Sequence, residues 1–223
     1  MSRDLLVTTN QYMFTGIIEK TDKISDIVTM SGSKKFRIQY TSAEPLKVAE
    51  SINVNGACQT VVEIEKDSFW VEAMRETLTK TNLDVLQVGD EVNLERSLKL
   101  SDRISGHLVS GHVDTAGKIL AIQSMPESWI FKIGFSEEFA RYIAPKGSIA
   151  VNGISLTVID VGQNNFTVGI IPYTWQNTNL HKIKKGDLVN LEFDLLAKYV
   201  ESILKPQENR ERITSKFLAD AGW

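Results

Sequence analysis

The chain has 223 residues, 42% hydrophobic and 24% charged, with a formal net charge of −3. That is enough for one large globular domain or two of about 100 residues each, and the weak acidity gives no electrostatic case for nucleic acid or an anionic membrane surface. A single cysteine excludes an internal disulfide and a multi-thiolate zinc site, and it suits a reducing, cytoplasmic setting.

Residues 1–12 (MSRDLLVTTNQY) follow no periodic pattern. Leu5-Leu6-Val7 is too short for the apolar core of a signal peptide, and no run reaches the roughly 20 apolar residues of a membrane span. The Asn165-Phe166-Thr167 sequon is therefore read as accidental. Organised sequence begins near Met13. Thr15-Gly16-Ile17-Ile18-Glu19 leads into Lys23-Ile24, and strand-like runs follow at Lys35–Tyr40, Val61–Ile64, Ser68–Ala73 and Val92–Leu94. Turn residues at Ser31-Gly32-Ser33, Asn55-Gly56 and Gly89-Asp90 separate them.

A second module repeats the order. Ser110-Gly111-His112-Val113-Asp114 leads into Lys118-Ile119, followed by runs at Trp129–Ile133, Ser148–Val151 and Phe166–Ile171. The phrase Val54-Asn55-Gly56-Ala57-Cys58-Gln59-Thr60-Val61 returns as Val151-Asn152-Gly153-Ile154-Ser155-Leu156-Thr157-Val158, 97 residues later. Thr77–Leu83 and Gly89–Glu95 return at the same offset as Thr174–Leu180 and Gly186–Glu192, while the module starts are offset by 95. Such self-similarity marks a duplicated unit, and many short strands at regular spacing mark an antiparallel barrel or sandwich. Ser136–Ile143, with early acids and apolar residues three to four apart, reads as a short helix, and Glu44–Ala49 as its counterpart.

After Asp194 the period changes. Leu195, Leu196, Tyr199, Val200, Ile203 and Leu204 share one helical face, Pro206 ends that helix, and a second polar helix is expected over Arg210–Ala219. Such a face needs cover; a subunit interface and packing on its own barrel both remain open. The chain thus divides into an extension (1–12), two modules (13–109 and 110–195) and a C-terminal helical segment (196–223) for oligomerisation.

No phosphate-cradling GxxxxGK[ST] or GxGxxG occurs. Arg37-Ile38-Gln39-Tyr40-Thr41-Ser42 echoes an Arg-x-Tyr-Ser flavin signature at a spacing one residue too long, and reads as a solvated strand edge. His107, His112 and Asp114 have metal-ligand chemistry, but an extended strand would send 107 and 112 to opposite faces, so no metal site is assigned. His181 is given no role. Cys58 stands just past the Asn-Gly turn. Superposing the modules places it over Ser155, Thr60 over Thr157, and Ile17 over His112. Two like pockets with unlike reactive groups fit two copies of one ligand that are treated differently.

These residues resemble the riboflavin synthase family of the alpha-chain type. The resemblance is carried by Met13-Phe14-Thr15-Gly16-Ile17-Ile18, Asn55–Val61, Arg75-Glu76-Thr77-Leu78 with Thr81-Asn82-Leu83, Gly106–Val113, Asn152–Thr157 and Ile171-Pro172-Tyr173-Thr174, in family order from Met13 to about Leu204. It implies an all-β fold of two tandem six-stranded antiparallel Greek-key barrels with a C-terminal helix, assembled as a homotrimer. It implies one 6,7-dimethyl-8-ribityllumazine per barrel and two lumazines per active site, between the N-terminal barrel of one subunit and the C-terminal barrel of another. The reaction implied is a dismutation into riboflavin and 5-amino-6-(D-ribitylamino)uracil, with no cofactor and no metal. Association with lumazine synthase is a further implied partnership.

Carried over by motif, His112 is the candidate general base. Cys58 and Ser51 are candidates to add to or polarise the donor ring, or to place the water that does, and Phe14 packs against the pocket. The implied substrate-binding set begins with Gly16, Ile17 and Ile18, then Cys58, Gln59 and Thr60. It continues with Glu72, Ala73, Met74, Arg75, Glu76 and Thr77, then Gly111, His112 and Val113. Lys146, Ser155, Leu156 and Thr157 follow, and Ile171, Pro172, Tyr173, Thr174, Trp175 and Gln176 complete it. Members of the family often carry two adjacent cysteines and Leu where this chain has Ala57-Cys58-Gln59, and they begin at the Met-Phe-Thr-Gly run, which makes residues 1–12 a departure. The alternative within the same fold is a non-catalytic lumazine- or flavin-binding antenna protein, against which the presence of Cys58, Ser51, His107 and His112 weighs.

Overall fold

In the first module, alternation of apolar and polar residues lays down β1 (Lys20–Met30), β2 (Ser33–Gln39), β3 (Ser51–Val54), β4 (Ala57–Ile64), β5 (Ser68–Met74) and β6 (Glu91–Arg96). The second has β7 (Thr115–Met125), β8 (Ser128–Gly134), β9 (Ser148–Val151), β10 (Ile154–Val161), β11 (Asn165–Ile170) and β12 (Leu188–Phe193). The structure is a computed structural model and describes residues 13–205; the extension 1–12 and the expected helix at 210–219 lie outside the described residues. Each set of six strands closes into an antiparallel barrel, in the order β1-β2-β5-β4-β3-β6 and in the equivalent order in the second module. Closure leaves no open sheet edge.

The two interiors are copies. Phe36, Ile38, Ile52, Val54, Val61, Phe69 and Val71 are buried in the first, and Phe131, Ile133, Ile149, Val151, Val158, Phe166 and Val168 in the second. Register shifts fall at equivalent places, after Ile24 and Val61 and after Ile119 and Val158. An extra residue there bends the strand so that a six-stranded sheet can close. Short helices α1 (Arg75–Lys80) and α2 (Pro172–Asn177) follow β5 and β11.

Two local expectations differ. Glu44–Ala49 is turn and bend, not helix: Pro45 lies inside it, only Leu46 is buried, and Ala49 has φ of 69°. Its expected partner does form, as a tight helical turn over Glu137–Tyr142. Arg37 is not on an edge, because β2 pairs with β1 on one side and β5 on the other; its guanidinium donates to Ser25 Oγ and lies over the Trp70 ring. α3 (Leu195–Leu204) forms as expected, its first turn capped by the Asp194 carboxylate. Its polar side is tied to the second barrel by Glu201 with Arg141 at 3.0 Å and Lys198 with Asp114 at 2.6 Å. Leu196, Tyr199, Val200, Ile203 and Leu204 stay exposed.

The seam between barrels is polar and pseudo-symmetric. Asn55-Gly56 and Asn152-Gly153 take the left-handed conformations of a two-residue hairpin turn, and the turns meet back to back. A Cβ on Gly56 would lie 2.8 Å from Gly153 N, and one on Gly153 would lie 2.8 Å from Gly56 N. Around them, Asn190 Oδ1 accepts from Asn82 N at 2.6 Å and Asn93 Oδ1 accepts from Asn179 N at 2.8 Å. Asn93 Nδ2 donates to Asn152 O at 2.9 Å, and Asn190 Nδ2 to Asn55 O at 2.7 Å.

The lead-in segments cross on this seam. Phe14 and Val109 form an antiparallel pair, with Phe14 N donating to Val109 O at 2.8 Å and Val109 N to Phe14 O at 3.1 Å. Two buried carboxylates hold the segments. Glu95 of β6 accepts from Thr15 N, Thr15 Oγ1 and Gly16 N at 2.6, 2.8 and 3.0 Å. Glu192 of β12 accepts from Ser110 N, Ser110 Oγ and Gly111 N at 2.6, 2.7 and 2.9 Å. Burial pushes the Glu95 carboxyl up to about 7 against the pull of its donors, and burial likewise raises that of Glu192.

Two outcomes follow for stability. Gly56→Ala should cost about 3 kcal/mol in urea unfolding, from backbone strain plus the clash with Gly153. Gly89→Ala, at φ of 97° with open space around it, should cost only about 1 kcal/mol. The second concerns pH. Between the ordinary value of 4.5 and about 7 the unfolded Glu95 loses its proton while the folded one keeps it. Stability therefore falls as pH rises through that window, by up to about 3 kcal/mol. Glu95→Gln should flatten that slope in unfolding curves measured across it; an unchanged slope would exclude Glu95 as its source.

Candidate functional site

Strand β4 sends Ala57, Gln59 and Val61 into the barrel and turns Cys58 and Thr60 outward. Ser51 lies on β3 opposite Thr60, near enough to the Cys58 thiol to oppose the effect of burial on it. A cavity of about 280 Å³ opens over this outward face. Its walls are Ala57 and Cys58 from β4, Glu76, Thr77, Lys80 and Thr81 from α1 and its end, and Gly111, His112 and Val113 from the second lead-in segment. The last three come from the other module. Gly111 O accepts from Cys58 N at 2.8 Å, Gly111 has φ of 77°, and a Cβ there would fall 2.6 Å from Cys58 Cβ. Only glycine allows so close an approach. Val113 packs on the core of the first barrel.

The opposite exchange marks the equivalent place on the second barrel as the candidate second pocket. Gly16 O accepts from Ser155 N at 2.7 Å, a Cβ on Gly16 would lie 2.7 Å from Ser155 Cβ, and Ile18 packs on the core of the second barrel. Ser155 Oγ lies 2.7 Å from His107 Nδ1, whose ring nitrogen Nε2 is buried without a partner. Burial holds the His107 imidazole below its ordinary value. The two histidines therefore serve different pockets, His107 beside Ser155 and His112 beside Cys58. The segment between them is a loop crossing the seam, not the extended strand expected from sequence. Among the described residues no cluster of three metal-binding side chains occurs.

Other expected residues divide by face. Thr60 and Thr157 are exposed on the same strand faces as Cys58 and Ser155. Gln59 and Leu156 point into the barrels, so their side chains do not line the pocket face. Ala73 is buried on the interior side of β5, and Glu72 accepts from Ser33 Oγ at 2.7 Å. Met74 and Tyr173 are both strongly exposed, at 71% and 73%; Met74 precedes Arg75, which opens α1, and Tyr173 follows Pro172, which opens α2. Ile171 precedes α2 and is exposed, and Gln176 is on the helix itself. Trp175 stacks on Trp129 with ring centres 4.1 Å apart, which fixes α2 against β8. Lys146 has φ of 67° and its backbone N–H donates to Val158 O, one residue from Thr157. Phe14 is wholly buried in the seam with Val109, Ala150 and Cys58; it backs the thiol and does not line the cavity.

A cleft of about 460 Å³ on the seam is floored by Asn55, Asn82, Asn152 and Asn179 and rimmed by Asp90, Glu91, Lys182 and Asp187, with no thiol, imidazole or hydroxyl in its lining. The smaller cavity carries a thiol, an imidazole and hydroxyls together. Burial raises the Cys58 thiol above its ordinary value, so it rests protonated and acts as a hydrogen-bonding group, not a standing thiolate. The site residues expected from sequence omit Lys80, Thr81, Glu95 and Glu192, although the first two lie in the repeated Thr77–Leu83 phrase. The last two were visible only as matching ends of the repeated Gly-Asp-x-Val-Asn-Leu-Glu phrase.

Comparison with known proteins agrees with this geometry. Residues 15–97 and 110–194 each match the lumazine binding domain family. The riboflavin synthase of Actinobacillus pleuropneumoniae is 40% identical over 215 residues, covering 95% of this chain and 100% of that protein. That of Bacillus subtilis is 35% identical over 215 residues with the same coverage. That of Mycobacterium tuberculosis is 40% identical over 203 residues, covering 86% of this chain and 98% of that one. Among solved structures, LumP complexed with riboflavin superposes with a TM-score of 0.76 at 21% identity, over 81% of this chain and 98% of that one. At that identity the likeness speaks for the fold. With both modules matched and relatives aligned nearly end to end, the chain belongs to the riboflavin synthase family.

Proposed function

We propose that this protein is a riboflavin synthase, converting two molecules of 6,7-dimethyl-8-ribityllumazine into riboflavin and 5-amino-6-(D-ribitylamino)uracil. The observation that carries this is a pair of equivalent strand positions with unequal groups: Cys58 with His112 in the walls of a cavity on the first barrel, and Ser155 with His107 2.7 Å away on the second. Equivalent walls suit the same ligand twice. Unequal groups suit one molecule as donor and one as acceptor of the four-carbon unit.

The lumazine 7-methyl group is acidic because the ring delocalises the carbanion. His112, exposed at the cavity wall, is placed to take that proton. The protonated Cys58 thiol and the buried Ser51 hydroxyl are placed to orient a water, or to polarise the ring, at the adjacent carbon. Thr77 and Thr60, with Thr174 and Thr157 in the other barrel, would hold the pyrimidine edge and ribityl hydroxyls, and Lys146 would reach the ribityl chain. Much of the rate comes from holding two rings together in a reactive orientation. The productive site of this reading pairs the N-terminal barrel of one subunit with the C-terminal barrel of another. The uncovered face of α3 supplies a subunit contact, and a homotrimer is the assembly proposed. Association with lumazine synthase belongs to the same reading. Among the described residues no helix is long and apolar enough to cross a membrane, and a cytoplasmic enzyme is the location proposed.

Purified protein mixed with the lumazine should develop riboflavin absorption and fluorescence with no added cofactor; stoichiometric binding without conversion would make it an antenna-type binder instead. His112→Ala and Cys58→Ala should each lower kcat by roughly 10- to 100-fold while lumazine Kd moves less than about threefold. Val200→Glu with Ile203→Glu should reduce the assembly seen by light scattering to the 25.0 kDa subunit and abolish turnover; an unchanged mass would remove α3 from the interface.

A further inference from the structure

Glu95 and Glu192 stand at equivalent places on the last strands of their barrels, yet each is wired to the pocket of the other barrel. Glu192, on β12 of the second barrel, binds the backbone and hydroxyl of Ser110 and the backbone of Gly111. The next link, Gly111 O to Cys58 N at 2.8 Å, lies in the first-barrel pocket. Ser110 Oγ in turn accepts from His112 N at 3.2 Å. One carboxylate therefore stands behind both the thiol and the imidazole of the first pocket. Glu95, on β6 of the first barrel, binds Thr15 and Gly16. Gly16 O then holds Ser155 N at 2.7 Å, and Thr15 O holds His107 N at 3.1 Å. Both groups belong to the second-barrel pocket.

We propose that Glu192 and Glu95 are positioning residues acting crosswise: Glu192 of the second barrel fixes the Cys58–His112 pocket, and Glu95 of the first barrel fixes the Ser155–His107 pocket. Each carboxylate gathers three donors on two oxygens, two of them backbone N–H groups with no alternative acceptor in the seam. Charge-assisted bonds of this kind are the strong ones. An amide at the same place offers one acceptor oxygen and turns an N–H toward a donor, so the strap must shift. The glycines it carries have no slack: a displaced Gly111 no longer seals against Cys58, and a displaced Gly16 no longer seals against Ser155. The Phe14–Val109 pair joining the straps is made by backbone bonds that neither carboxylate enters, so each disturbance stays on its own strap. The proposal depends on the riboflavin synthase reading only for the ligand's identity, because its test needs no ligand.

Cys58 is the single cysteine of the chain, so its rate of reaction with a thiol–disulfide reagent reports on the first pocket alone. The ring signals of His107 report on the second. At about pH 8, where Glu95 is ionised, Glu192→Gln should raise the Cys58 rate at least about fivefold, the scale of losing a charge-assisted hydrogen bond, and leave the His107 signals in place. Glu95→Gln should move the His107 signals and leave the Cys58 rate within about twofold of the parent protein. Should either amide variant fail to fold, Ser110→Ala and Thr15→Ala each remove one donor and should give the same crossed pattern at smaller size. An uncrossed pattern, or equal effects of each substitution on both pockets, would overturn the proposal, as would a Cys58 rate unchanged in Glu192→Gln.

Discussion

Two short segments, exchanged across a polar seam, set the geometry of everything else in this protein. Residues 14–18 precede the first barrel but complete the second pocket, and residues 109–113 precede the second barrel but complete the first. Their crossing at Phe14 and Val109 allows no independent placement of the barrels. A rotation of one barrel against the other would break the Phe14–Val109 pair, the carboxylate anchors and the asparagine bonds together. Because buried donors and acceptors left unmade cost more than the bonds gain when made, the seam defines one register. An apolar seam of similar area would hold the barrels as firmly but would tolerate sliding.

This constraint explains how duplication yielded two pockets that are alike in wall and unlike in chemistry. The walls come from barrel strands and short helices whose interiors are near copies, so their spacing is set by the fold. The reactive groups come from a strand position, Cys58 or Ser155, and from what the exchanged segment brings. One segment carries His112 to the thiol; the other seats Gly16 on Ser155, whose hydroxyl meets His107 of the crossing loop. Divergence at these few positions changes chemistry without disturbing packing. Cys58 illustrates the balance, since the same close glycine that buries it also raises its pKa. The thiol is kept as a donor beside a base, an arrangement suited to steering water or a ring carbon.

The duplicated barrel was legible because its signals are local. An Asn-Gly turn between alternating strands and matching phrases at a fixed offset need no tertiary information. The long strands β1 and β7 were not seen, because only Ile24 of β1 is buried and β7 buries only Gly117 and Ile119, which leaves almost no alternation to read. Glu44–Ala49 had helical spacing, but Pro45 and the left-handed Ala49 prevent a helix. The superposition paired Ile17 with His112 correctly as equivalents. It held no information on which barrel each serves, since exchange is a property of the seam. Glu95 and Glu192 escaped for a related reason: a glutamate ending a strand reads as solvent-facing until three donors from the distant lead-in segment are found on it.

The crossed arrangement also bears on why two barrels share one chain when the proposed reaction pairs pockets from two subunits. A barrel alone would have an unfinished pocket, lacking its glycine seal and, for the first barrel, its imidazole. Fusion supplies the missing segment at high effective concentration, and the carboxylate of the neighbouring barrel holds it still. Both pockets of a subunit are then finished before subunits meet. In the proposed assembly the exposed face of α3 would have only to bring finished pockets together, not to complete them, and assembly and site construction would be separate problems solved by separate parts of the chain.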